Sequence, residues 1–350
     1  MQEDISREIS EKLRLRLTGE EKSRLTERHV VNPEAYQLYL KGRYYWNKRT
    51  EEGFNKAIEH FNQAIEKDPN YTLAHAGLAD SYILLGAFGL LPPKEAYAKA
   101  REAATKALEV DDTLGEAHNA LAAVKSSYDW DRPGAEREYK RAIELNPGYA
   151  TAHQWYGELL SDALGRHEEG LAEINHAQQL DPLSLIINAV HGRILLGAGR
   201  DDLAIEQLQK TLEMDPNFAL AHYYLGWAYV RKGAFTEAIA ELQRATTLSP
   251  GISDYKAGLG YAYARAGKSA EARKVLYELK EQSKQRYVSW SDFAGIYAGL
   301  GEKDQAFAFL QKAYEQRDYG LLYMKVAPFL DPLLSDPRFT DLLRRVGLPQ

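Results

Sequence analysis

The chain has 350 residues, 45% apolar and 27% charged, with no cysteine and a formal charge of −6. That balance suits a folded chain rather than a disordered one, and the acidic total argues against a nucleic-acid binder, which carries a basic face. The missing thiols exclude disulfides, thiolate catalysis, iron–sulfur clusters and cysteine-ligated zinc.

Residues 1–30 form a first segment, charged throughout and unlike a signal peptide. Ile5, Ile9, Leu13 and Leu17 fall on one stripe, which predicts an amphipathic helix over 3–17 that stops near Gly19. No membrane segment follows. The longest apolar run, Tyr82–Leu91, is well short of the ~20 residues a spanning helix needs.

From 31 to 320 the chain repeats itself. Pro147, Pro182, Pro216 and Pro250 succeed one another in steps of 35, 34 and 34, and Pro69, Asp112, Lys284 and Asp318 continue the frame. Small residues keep the same time: Gly42, Ala79, Ala122, Gly157, Gly192, Gly226, Gly260 and Ala294 early in each unit, then Ala57, Ala100, Ala135, Gly170, Ala204, Ala238, Ala272 and Ala306. Bulky Phe61, Tyr139, Leu208, Leu242 and Leu310 stand between them. Such a unit accommodates two short helices and two turns. Its small residues let backbones approach, its large ones fill holes on the neighbour, and its proline ends the second helix because it cannot extend the hydrogen-bond ladder. One hairpin cannot bury both faces, so units stack into an array.

The second unit carries the longest addition between its helices, "GAFGLLPPK" at 86–94. Insertions there emerge along one edge of an array; this one is read either as a contact site or as a loop folded over its own hairpin. Residues 321–350 are broken by prolines and end in a short helix with Phe339, Leu342 and Leu343, placed to cover the open end of the last unit.

The pattern over about 35–320 resembles the tetratricopeptide repeat family. The resemblance implies an all-α fold, a right-handed superhelical solenoid of about eight helix–turn–helix units with N-terminal and C-terminal flanking helices. Some positions depart from the family. Its tryptophan at the start of the first helix appears only as Trp290, with His75, His118, His153 and His222 elsewhere, and Lys125 and Lys256 are off-pattern. Tyr39 and Arg43 stand where chaperone-binding relatives carry the lysine and asparagine of a carboxylate clamp, which removes that class of partner. The flanks "QEDISREISEKLRLRLTGEEK" and "SDPRFTDLLRRVGLP" are similar to those of the C-terminal repeat region in bacterial TolB-like multidomain regulators. That likeness implies the C-terminal sensory or interaction part of a larger protein with a kinase, adenylate cyclase or winged-helix domain, whose signatures this chain lacks.

No catalytic residue, cofactor or metal is predicted. Four histidines recur at one repeat position, which makes them structural, and no H-E-x-x-H spacing, phosphate-binding loop or G-x-S-x-G setting occurs. What remains is the concave wall, which the family resemblance assigns to the first helix of each unit. It offers Arg193, Tyr223, Trp227, Arg231, Tyr261 and Arg265, the residue types that most often anchor interfaces, with acidic Glu158 and Asp162 nearer the N-terminus. The reading is a non-catalytic scaffold that holds a protein or peptide in this groove, with no nucleic-acid contact of its own. The alternative is the sensory domain of a larger signalling protein. The compartment is cytoplasmic, or periplasmic if that larger protein is membrane-anchored.

Overall fold

The computed structural model describes residues 32–348, whose helices come in consecutive antiparallel pairs. Unit 1 pairs α1 (Pro33–Trp46) with α2 (Glu51–Lys67), and unit 2 pairs α3 (Thr72–Ala87) with α4 (Pro93–Val110). Units 3 and 4 join α5 (Gly115–Val124) to α6 (Arg132–Leu145) and α7 (Ala150–Glu158) to α8 (His167–Leu180). Units 5 and 6 are α9 (Leu185–Gly197) with α10 (Asp201–Met214) and α11 (Ala219–Arg231) with α12 (Phe235–Leu248). Units 7 and 8 are α13 (Ser253–Arg265) with α14 (Ser269–Gln282) and α15 (Trp290–Gly299) with α16 (Lys303–Glu315). Among the described residues there is no strand, and no helix is long and apolar enough to cross a membrane. The helix predicted over 3–17 lies outside them.

The small residues lie at the helix crossings. A Cβ placed on Gly192 would meet Leu208 Cγ at 2.5 Å, and one on Gly226 would meet Leu242 Cγ at 2.5 Å. Phe61 fills the holes at both Gly42 and Gly77, 2.4 and 2.6 Å from their would-be Cβ atoms. Ala57, Ala100, Ala238, Ala272 and Ala306 are fully buried. The recurring histidines tie down the turns between units. Nε2 of His75, His118, His153 and His222 stands 3.0–3.2 Å from the carbonyl six residues earlier, at Pro69, Asp112, Pro147 and Pro216. Off-pattern Lys125 opens a π turn, Lys125–Asp129, and pairs with Glu138 at 2.6 Å.

Each turn between the two helices of a unit contains one residue with positive φ: Arg49, Gly89, Trp130, Gly165, Gly199, Gly233, Gly267 and Gly301. Glycine suits that conformation because a Cβ is strained there. Arg49 and Trp130 are the departures, and both lie where the array meets itself.

After about seven units the solenoid has come round on its own start. Glu51 at the head of α2 grips Arg286, with its Oε1 and Oε2 2.9 and 3.1 Å from the guanidinium nitrogens. The 86–94 insertion crosses the interior. Phe88 packs at a tilt against Phe54, with ring centroids 5.4 Å apart, and a Cβ on Gly89 would lie 3.6 Å from Ser253 Oγ of α13 and 3.8 Å from Ser289 Cβ. The insertion therefore reaches the far wall of its own array. Further along, Arg317 donates to the Tyr128 carbonyl at 2.8 Å and lies 4.5 Å over the Trp130 ring, joining unit 8 to unit 3.

The C-terminal segment does more than cover an end. It runs through the interior as two 3₁₀ turns, Tyr319–Tyr323 and Pro328–Leu333, before α17 (Pro337–Val346). That last helix buries Phe339, Leu342, Leu343 and Val346, and Arg132 of α6 donates to the Val346 carbonyl at 2.8 Å.

Ala238→Leu adds three carbons at a crossing with no free space. It is expected to destabilise by ~1–3 kcal/mol, read as a lower denaturant midpoint, and an unchanged midpoint would contradict this packing.

Candidate functional site

The inner wall is built from the odd-numbered helices, and with the insertion and the C-terminal segment it lines a central, partly open cavity of ≈ 220 Å³. Three of the residues assigned to the groove from sequence meet here. Arg193 of α9 pairs with Asp162 and lies 3.0 Å from Glu158 Oε2, and its guanidinium sits 5.2 Å from the Tyr323 ring centroid. Burial raises the pKa of both carboxyl groups, and the Arg193 charge opposes that rise.

The aromatic assignments meet too, but not at an open surface. Trp227 is 7% exposed. Its ring lies 5.3 Å from Tyr261, 5.7 Å from Phe329 and 6.0 Å from Tyr223. Tyr261 Oη donates to the Pro328 carbonyl at 2.8 Å and accepts from Arg265 Nη1 at 2.7 Å. Arg193, Trp227 and Tyr261 thus already hold a chain segment, and that segment is the protein's own, wound into the two 3₁₀ turns that precede α17. The cause is local. The segment's prolines forbid a long helix, while Leu321, Leu322 and Leu330 give it an apolar side that the wall buries. Arg231 stands apart at the turn edge, donating through Nε to Asp201 at 2.9 Å.

The division of charge also differs from the sequence expectation, which had the acidic side nearer the N-terminus. Units 7 and 8 bring Asp254, Asp292 and Asp318 to the cavity, and unit 1 brings Arg49. Asp318 is satisfied by Ser289, Ser291, Tyr287 and the backbone N–H groups of Trp290 and Gly320. Asp254 has a hydrogen bond with Tyr223, and Asp292 lacks a comparable ring of donors. Burial, then hydrogen bonding to Tyr223, sets Asp254 at about 6 on balance, and burial with the neighbouring Asp254 charge raises Asp292 well above the carboxylate range. Asp292 Oδ2 and Ser253 Oγ are buried without a hydrogen-bond partner.

Arg49 is the residue that sequence reasoning missed. It is 3% exposed, has φ 54°, and lies flat on Trp46 with Cζ 3.5 Å from the ring centroid. Its Nε and Nη1 are buried without partners. Burial, reinforced by Arg43, pulls its pKa down, yet a guanidinium stays charged. Removing such a charge from water without a counter-ion costs several kcal/mol. The step of 34 that links Gly301, Gly267, Gly233, Gly199 and Gly165 is broken in the early units by their added residues, so Arg49's equivalence to those glycines emerges only in the structure.

Two outcomes follow from this geometry. Trp227→Ala is expected to cost ~3–5 kcal/mol of stability and to lower the melting temperature sharply, as a core truncation does. Asp254 has a folded pKa of about 6 against an ordinary 3.8. It therefore takes up a proton on folding, and its contribution is complete below pH ~4 and lost as pH rises to ~6. Asp254→Asn, which cannot ionise, should flatten the fall in melting temperature across that window and gain on the order of 1–2 kcal/mol at pH 7; equal pH profiles would refute the assignment.

Comparison with known proteins agrees with this architecture. A tetratricopeptide-repeat family model matches residues 190–251, in units 5 and 6. The transcriptional regulator HilA of Salmonella typhimurium is 29% identical over 149 residues, 43% of this chain. The match spans only 27% of HilA's length. Among solved structures, the APC/C hetero-tetramer Cut9–Hcn1 aligns with 94% of this chain and 58% of that one at a TM-score of 0.61 and 15% identity. The pilus biogenesis factor PilW aligns with 61% of this chain and 94% of its own at 0.48 and 20%. The paired helices, the glycine-turn register and the family match together make this chain a tetratricopeptide-repeat protein.

Proposed function

We propose that the chain is a non-catalytic protein-binding scaffold that recruits its partner through α1, the first described helix of the array. The observation that carries this reading is a stripe on α1: Tyr36, Leu40 and Tyr44 are 50%, 47% and 58% exposed at successive helical turns. Later first helices are packed between the second helices of two units, whereas α1 packs on α2 and α3. Tyrosine and leucine exposed in a row mark a surface that association would dry. The inner wall supports the same class of function differently, because Arg193, Trp227 and Tyr261 grip a non-α-helical segment of the same chain. A partner that used those residues would have to displace 319–333.

A second reading is that this scaffold is the sensory or interaction part of a larger bacterial regulator. The stretch similar to HilA, a transcriptional regulator, favours it. The partner recruited at α1 is then another domain of the same polypeptide or a protein of the same pathway.

The triple variant Tyr36→Ser, Leu40→Ser, Tyr44→Ser should keep its melting temperature within a few degrees, since all three side chains are already wet. It should lose the partners cross-linked to the unmodified chain in its native host. Recovery of the same partners by the variant would remove the α1 surface from consideration.

A further inference from the structure

We propose that the central cavity binds an organic ammonium ion with an apolar body, its N–H groups held by Asp254, Asp292 and Ser253. The proposal goes beyond partner recruitment and rests on different residues from the α1 surface.

Asp254 stands in the first turn of α13, at the register position that Ile186 and Leu220 fill in units 5 and 6, and all three line the cavity. A carboxyl therefore replaces an apolar side chain where the repeat asks only for packing. Asp292 comes from the first turn of α15, which packs directly on α13. The two carboxyls are close enough for the Asp254 charge to be felt at Asp292, and Ser253 Oγ lies beside the Asp292 carboxyl. Ser253 is 2% and Asp292 5% exposed, yet Ser253 Oγ and Asp292 Oδ2 have no hydrogen-bond partner and both residues line the cavity.

The unmet need is for positive charge. Other interior carboxyls have a cation of their own: Asp80 has Arg43 at 3.0 Å, and Asp162 and Glu158 have Arg193. Among the described residues no lysine, arginine or histidine bears on Asp254 or Asp292, Arg49 included; the groups that face them are Asp318, Tyr223, Tyr287 and Ser253. The pair carries negative charge at neutral pH, because Asp254 titrates at about 6 and the first turn of a helix favours an ionised carboxyl. A bound cation favours ionisation of both. A primary ammonium has three N–H donors, one each for Asp254, Asp292 and Ser253. No group of His, Asp and Glu among the described residues is arranged to hold a metal ion. The rest of the wall suits the body of the ligand. Tyr223 and Tyr255 stand with ring centroids 4.8 Å apart beside Trp227, and aromatic faces attract a cation as well as apolar carbon. The ≈ 220 Å³ of the cavity far exceeds the ~10–15 Å³ that one water needs.

The test uses the full chain at constant ionic strength and about pH 8, where Asp254 is ionised. Hexylamine and phenethylamine are titrated by thermal shift and calorimetry beside hexanol and phenylethanol, which keep the apolar body and lose the charge. Potassium and magnesium chloride stand in for inorganic cations. At least one amine should bind saturably, the matching alcohol roughly tenfold or more weakly, and neither salt should compete. Affinity should fall roughly tenfold per pH unit below about 6, because the ammonium then competes with the Asp254 proton. Asp254→Asn should melt no lower than the parent without ligand and lose the response to the amine. The proposal fails if neither amine raises the melting temperature, if the rise survives Asp254→Asn, or if the alcohol or either salt raises it as much as the amine.

Discussion

A bare backbone position pressed against a bulky side chain is the constraint on which the rest of this structure depends. Leu208 against Gly192, Leu242 against Gly226, and Phe61 shared between Gly42 and Gly77 fix how closely each helix approaches the next. Close approach at every crossing gives each unit the same small rotation relative to its neighbour. Repeated over eight units, that rotation returns the chain to its own beginning. The Glu51–Arg286 pair, the insertion tip against Ser253 and the Arg317–Trp130 stack are consequences of that return.

Closure changes what the inner wall is. An open repeat array offers a concave surface to solvent, and its aromatic and arginine residues are then interface anchors. Here the wall is roofed by the chain's own proline-broken C-terminal segment, so the same residues become part of a core. Trp227, packed among Tyr223, Tyr261 and Phe329, is a buried aromatic like any other. Surface chemistry is left to the outer faces and to α1, which still shows Tyr36, Leu40 and Tyr44.

The cavity concentrates charge in a place where charge is costly. Most of it is resolved within the chain: Arg193 by two carboxylates, Asp318 by a ring of hydroxyl and backbone donors, Asp80 by Arg43. Burial raises the pKa of Asp254 and Asp292, so each can shed its charge by taking up a proton as pH falls. Arg49 cannot respond in that way. A strained, buried guanidinium without an ion pair among the described residues is costly to hold, and such groups cluster at functional positions.

The sequence by itself determined the elements and their period. Proline and small-residue spacing placed the helix pairs, and the recurrence of His75, His118, His153 and His222 marked them as structural, because residues in step with a repeat report on the repeat. It also named Arg193, Glu158 and Asp162, which do converge, since they occupy neighbouring register positions. It left open where the 86–94 insertion would go, assigned the C-terminal segment only to the end of the last unit, and passed over Arg49. Those depend on contacts between residues more than two hundred positions apart, such as Glu51 with Arg286. A local pattern sets the rotation of one unit on the next. Only the accumulated rotation of the folded array decides which distant residues meet, and hence that the chain's own C-terminal segment lies along the groove and that Arg49 lines its cavity.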